Sequence, residues 1–181
     1  MGGAMTMKRL MLVCVMMLCL LPVNARGDAV VKDFHYEQYE KLYLNMIDQY
    51  PDPDNEAFSD YPAAGRALFV VLIFDMEIQN GGLAQFFWNC GISYAKPLPD
   101  ALRSTGLSDV ADLYESFLRN NGITLDFIAS FRDRVPGFAE YYKCYNYDTF
   151  DDAYMRIWEE TDINKRFIDY SDHHPEIWDT P

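Results

Sequence analysis

The chain has 181 residues, a formal net charge of −13 and a pI near 4.4. So acidic a chain lacks the basic footprint that direct nucleic-acid binding requires, and it favours basic partners instead. Half of its residues are hydrophobic and 15% are aromatic, which excludes a disordered polymer and suits one packed domain.

The first predicted element is a secretory signal. Lys8 and Arg9 form a basic flank, residues 10–23 are an apolar run broken by Pro22, and Val23-Asn24-Ala25 supplies modest side chains ahead of a cleavage point. A bilayer span takes about 20 apolar residues, so the short run predicts cleavage after Ala25, with an uncleaved anchor as the alternative. The expectation is a periplasmic or secreted protein that meets the membrane only during export. Met7 begins a more economical signal than Met1 does. Cleavage removes two bases and no acid. It also leaves Cys90 and Cys144, which an oxidising compartment would allow to pair; two buried free thiols are the competing state.

Helical periodicity governs the rest. Tyr36, Tyr39, Tyr43, Met46, Ile47 and Tyr50 share one helix face, and Pro51 and Pro53 end that helix. Residues 26–60 thus form a helix and an acidic, proline-rich loop ahead of a larger unit over residues 61–178. Residues 63–80 predict a long buried helix, stopped by Gly81-Gly82, with a second helix over 83–90 closed by Gly91. A turn at Pro97 and Pro99 leads into 100–104. Ser108 is the expected N-cap of a helix whose face is Val110, Leu113, Tyr114, Phe117 and Leu118, stopped by Asn121-Gly122. Thr124 caps a short helix through Phe131, and Pro136-Gly137 breaks the chain. Phe150, Tyr154, Ile157 and Trp158 make an inward stripe, with Asp152, Arg156 and Glu160 outward. Asp162 caps a last helix, faced by Ile163, Phe167 and Tyr170 and stopped by Pro175. No alternating pattern is long enough for a sheet, so the fold class is all-α: a single compact multi-helix domain.

The segment Glu77-Ile78-Gln79-Asn80-Gly81-Gly82-Leu83-Ala84-Gln85-Phe86-Phe87-Trp88-Asn89 is the most specific motif. It resembles the E-x-x-N-G-G-[FL]-x-Q-[FY]-[FY]-x-N signature of the DNA-mimic-protein-19-like domain family. The stretch from Asp148 to Tyr154, then Trp158-Glu159-Glu160, is similar to that family's late segment. Ala101-Leu102-Arg103-Ser104-Thr105-Gly106-Leu107 is similar to its A-L-x-x-[IL]-G-x junction, with Thr105 where the family has an aliphatic residue. The resemblance covers residues 61–178. It implies a helical domain whose acids occupy a protein surface that otherwise holds DNA.

The residues themselves admit two chemistries. Gln85 and Asn89 are four apart on one helix face, so with Glu77 they form either a buried polar network or the lining of a small pocket. Asn80, Gly81 and Gly82 suit a tight reversal, and their amides also suit an anion. Asp148, Asp151, Asp152, Glu159, Glu160 and Asp162 make an acidic cluster. It reads either as a solvated face or as a set of phosphate stand-ins for a basic protein partner. Asp52, Asp54 and Glu56 imitate the start of a calcium loop, but Ala57 and Ala63 replace its glycine and its bidentate glutamate. No metal, cofactor or paired acid and base is indicated. The favoured reading is a non-catalytic acidic domain that binds a basic protein partner, with no direct nucleic acid and with room for a homodimer. The alternative is a small hydrolase or ligand-binding protein built on Glu77, Gln85 and Asn89.

Overall fold

Residues 67–74 read ALFVVLIF, and a helix apolar on every side has to lie inside. That is where it sits. The computed structural model describes residues 29–179 and Pro181; the signal expected over residues 1–25 lies outside the described residues. Among those residues there are eight α-helices and no strand. They are α1 (Ala29–Gln49), α2 (Ala63–Ala95), α3 (Leu98–Ser104), α4 (Ser108–Asn121), α5 (Leu125–Arg134), α6 (Phe138–Tyr142), α7 (Asp148–Thr161) and α8 (Ile163–His173). Short 3-10 turns follow α1 at Glu56–Asp60 and end the chain at Pro175–Trp178.

α2 is the axis of the domain. It packs against α1, α3, α5, α6, α7 and α8. It is long and apolar enough to cross a bilayer, yet 67% of its most apolar window is buried by the surrounding helices. Phe74 is a hub: the Phe86 ring meets it edge-on at 5.1 Å and Tyr154 at 5.5 Å, with Tyr114 and Phe150 both at 6.3 Å. Edge-to-face pairs of this kind add about 0.5–1.5 kcal/mol each beyond the area they bury. A second aromatic cluster lies under the far half of α2, where Phe131 stacks on Tyr141 at 4.3 Å and Trp88 packs on both. α1 buries Tyr39, Tyr43 and Met46 in the same core, with Tyr50 just past its end, and runs beside α8.

The predicted stops are present, with shifts that have local causes. α2 carries helical hydrogen bonding through Gly81-Gly82 and Gly91 to Ala95, but its backbone breaks at all three glycines. A helix stop at Asn80-Gly81-Gly82 predicts positive φ at Gly81, but the left-handed residue is Gly82 (φ 78°) and Gly81 is extended (φ −167°), so the reversal falls one position later. Ser108 is the first helical residue rather than a cap. Leu107 N–H closes onto the Leu102 carbonyl at 2.8 Å, and Leu107 then runs directly into α4. Thr124 caps α5 as expected, accepting from Phe127 N–H, and Gly122 ends α4 in the left-handed region. α6 gave no sequence signal, because five residues are too few to display a period. Cys90 and Cys144 are free; Cys90 is half-buried and Cys144 is exposed, so neither the disulfide nor the pair of buried thiols is present.

Candidate functional site

The motif becomes a structure through the bend at its glycines. Along an unbroken α-helix Glu77 would stand about 12 Å below Gln85 and about 18 Å below Asn89. Instead, Glu77 Oε2 accepts from Gln85 Nε2 and from Asn89 Nδ2, both at 2.9 Å. The break therefore turns the chain until one carboxylate oxygen closes both amides. Glu77 is 1% exposed, and its other oxygen, Oε1, has no hydrogen-bond partner among the described residues. Burial pushes the Glu77 carboxyl above the usual range, and the two amides pull it back. The Tyr43 phenol is raised to about 12, first by burial and then by Glu77; the Cys90 thiol moves up for the same two reasons. Both neighbours are thus held in their protonated forms at ordinary pH.

The break also exposes a fresh helix start. Leu83 N–H donates to Asp151 Oδ1 at 2.8 Å, so the second half of α2 is capped by a side chain from α7. Gly82 makes the approach feasible: a Cβ there would lie 2.1 Å from Asp151 Oδ2. Asp151 is half-buried, and its carboxyl is raised to about 6, chiefly by burial; Asp148 and Asp152 add to the rise, and the Leu83 amide opposes it.

Sequence reasoning missed Asp75. It is fully buried on α2, two positions from Glu77 and about 200° around the helix from it. Tyr154 donates to Oδ1 at 2.5 Å, while Tyr39 at 2.5 Å and Gln79 Nε2 at 2.7 Å donate to Oδ2. One carboxylate so joins α1, α2 and α7. Burial raises its pKa, and the three donors lower it. The available signal was an acid and an amide at i, i+4 inside an otherwise apolar run, opposite a tyrosine-rich first helix.

The acidic cluster divides. Asp148, Asp152, Glu159 and Glu160 are exposed on α7 and form no ion pair among the described residues; Asp148 accepts the Tyr142 hydroxyl. Asp148, Asp152 and Glu159 fall within about 40° of one another and make a stripe about 16 Å long, with Glu160 about 100° away. Asp151 turns inward. Asp162, left-handed at φ 48°, ends α7, caps α8 through Lys165 N–H at 3.2 Å and meets His35 Nδ1 at 2.7 Å. Asn80 is half-buried, and no side-chain hydrogen bond to it is seen among the described residues. No set of three His, Cys, Asp or Glu side chains converges as metal ligands among the described residues.

The chain was compared with known proteins. A family model described as DMP19-like protein matches residues 59–174. That span contains the bent motif, Asp75 with its Gln79 and Tyr154 donors, and the α7 stripe; the third donor, Tyr39, lies before it. No curated protein and no solved structure matches the chain. The match extends over more than half of the residues and carries its most specific motif, so the chain belongs to the DMP19-like protein family.

Proposed function

We propose that this is an exported, non-catalytic acidic domain that docks on a basic protein surface through the exposed edge of α7, in the manner of a DNA mimic. The observation that carries the reading is the spacing of acids on α7: Asp148, Asp152 and Glu159 share one exposed edge, and with Glu160 they form no ion pair among the described residues. Some other exposed acids are paired: Asp112 and Glu115 hold Arg103, Asp109 meets Arg166, and Asp169 meets Lys165. On α7 Arg156 is the one cation among these acids, so the edge keeps a net negative field directed at solvent and at whatever approaches. The neutral surroundings of Glu77 support a structural role for the motif over hydrolysis.

The test is capture from an envelope extract by the immobilised mature chain. A basic protein should bind at roughly 0.05 M salt and release by roughly 0.5 M, since screening shortens the reach of exposed charges. The double variant Asp152→Lys, Glu159→Lys should lose it. A partner held equally by that variant, or retained at high salt, would remove the charge-driven reading.

A further inference from the structure

A groove of about 570 Å³ lies between the first turns of α2 and helix α3, on a side of the domain that the acidic stripe and the buried motif do not use. Its floor is Ala63, Ala64, Ala67 and Val70 from α2 and Ala101 from α3. Small side chains at these positions leave open the space that larger ones would fill. The volume falls within the range of small-molecule sites, and the lining has their usual character, mostly apolar with a few polar groups.

Two features bias the groove towards an anion. Arg66 lines it and forms no ion pair among the described residues; its guanidinium donates only to the Ser59 carbonyl, at 3.2 Å. A guanidinium has five N–H donors in a planar fork, so most of its donors remain for a ligand. The start of α2 is also uncapped: Pro62 precedes it and supplies no side-chain acceptor, so the first amides of a long helix open beside Ala63 and Ala64. Asp100 is the one acid in the lining and makes no ion pair with Arg66. Its carboxylate opposes any anion in the groove, so the ligand has to carry a single charge and carry it at Arg66.

We propose that this groove binds a small amphipathic monocarboxylate, with the carboxylate on Arg66 and the start of α2 and the aliphatic body along Ala67, Val70 and Ala101. The site is independent of the α7 edge, so either assignment can fail alone.

The experiment is titration of the mature chain with decanoate below its micelle concentration, followed by calorimetry and by backbone-amide NMR. Decanol and decylamine serve as neutral and cationic analogues. Decanoate should bind saturably and shift the amides of Ala64, Ala67 and Ala101. Decanol should bind at least about tenfold more weakly, and decylamine more weakly still, because a charge-assisted hydrogen bond is what separates them. Arg66→Gln should weaken decanoate by about tenfold at an unchanged melting temperature, and Ala67→Phe should abolish binding by filling the floor. If Ala67→Phe does not fold, Arg66→Gln and the head-group series decide. The proposal falls if decanoate gives no saturable shift at those amides, if decylamine binds as tightly, or if Arg66→Gln leaves decanoate affinity unchanged.

Discussion

Asp151 caps the amide of Leu83 across 68 positions of sequence. Most helix caps come from the residue just before the helix, where a short polar side chain folds back on its own backbone. Here two glycines occupy that place, and the acceptor is supplied by another helix. The bend in α2 and the docking of α7 are thus one event. Asp151→Ala should cost ~1–2 kcal/mol, the loss of a cap, while Asp151→Asn should retain most of that stability through its amide oxygen. Urea denaturation of the three proteins checks the order. Equal midpoints would mean that the cap contributes nothing.

The two glycines should respond differently. Gly82→Ala adds a Cβ in the left-handed region and against the Asp151 carboxylate, and it should lose well over ~1 kcal/mol. Gly81→Ala sits on extended backbone, and its Cβ meets the Gln85 side chain, 2.2 Å from Oε1 and 3.2 Å from Cβ. Displacing that side chain costs its bond to Glu77 but strains no backbone, so the loss should be smaller. Thermal melts of both variants decide it; a larger loss at Gly81 would contradict the geometry.

For Glu77 the expectation is structural. Glu77→Ala strands the Gln85 and Asn89 amides and should lower stability by ~1–3 kcal/mol. Glu77→Gln preserves one acceptor and removes a charge that burial opposes, so it should fold and keep whatever partner the wild type binds. A well-folded Glu77→Gln protein that had lost a measured activity or ligand would instead make Glu77 a functional acid.

Asp75 should be the costliest of the three inward acids. Asp75→Ala leaves the Tyr39 and Tyr154 hydroxyls buried without their acceptor, and a loss of ~3 kcal/mol or more is expected. Tyr154→Phe should cost less, ~1 kcal/mol, because two donors still hold the carboxylate. A double-mutant cycle over Asp75 and Tyr154 would show strong coupling; additive losses would show that the two do not act together.

Stability should rise on mild acidification. Asp75, Glu77 and Asp151 all bind their protons more tightly in the folded chain than an ordinary carboxyl does. Folding is therefore favoured as these groups protonate, and the penalty is largest above their folded values. For Asp151 the change runs from about 6 downwards to the unfolded range near ~4. Weaker self-repulsion of the acidic surface acts in the same direction. Urea midpoints should be higher at pH 5.5 than at pH 8, and Asp151→Asn should flatten the difference. A midpoint that falls on going from pH 8 to pH 5.5 would contradict the burial of these acids.

The sequence made every helix but α6, their order and the Glu77–Gln85–Asn89 cluster legible, because each rests on local spacing. Tyr39, Tyr43, Met46 and Tyr50 read as one face and are one. The acids were legible only in part. By helix spacing Asp151 stands about 20° from Trp158, at the rim of the inward stripe, whereas Asp148 and Asp152 lie on the far side. What Asp151 meets there is not local: the Leu83 amide, just past the glycine break, is 68 positions away. Asp75 was hidden for the same reason, since its two phenol donors lie on α1 and α7 and the apolar run around it reads as plain core.

α1 and α8 lie side by side, and the bonds that join the two ends of the chain are long in sequence. His35 meets Asp162, and Tyr50 donates to the Ile177 carbonyl at 2.7 Å, each across 127 positions. A chain emerging from its N-terminus therefore presents α1 first and its partner last. Through most of synthesis or translocation the tyrosine face of α1 has nowhere final to go, and closing a loop of that length is slow compared with forming the helices themselves. A chaperone that shields this face, or a passage that keeps it extended, would act on the interval before α8 arrives. Loss of the last fifteen or so residues would strand the first helix as surely as deleting it.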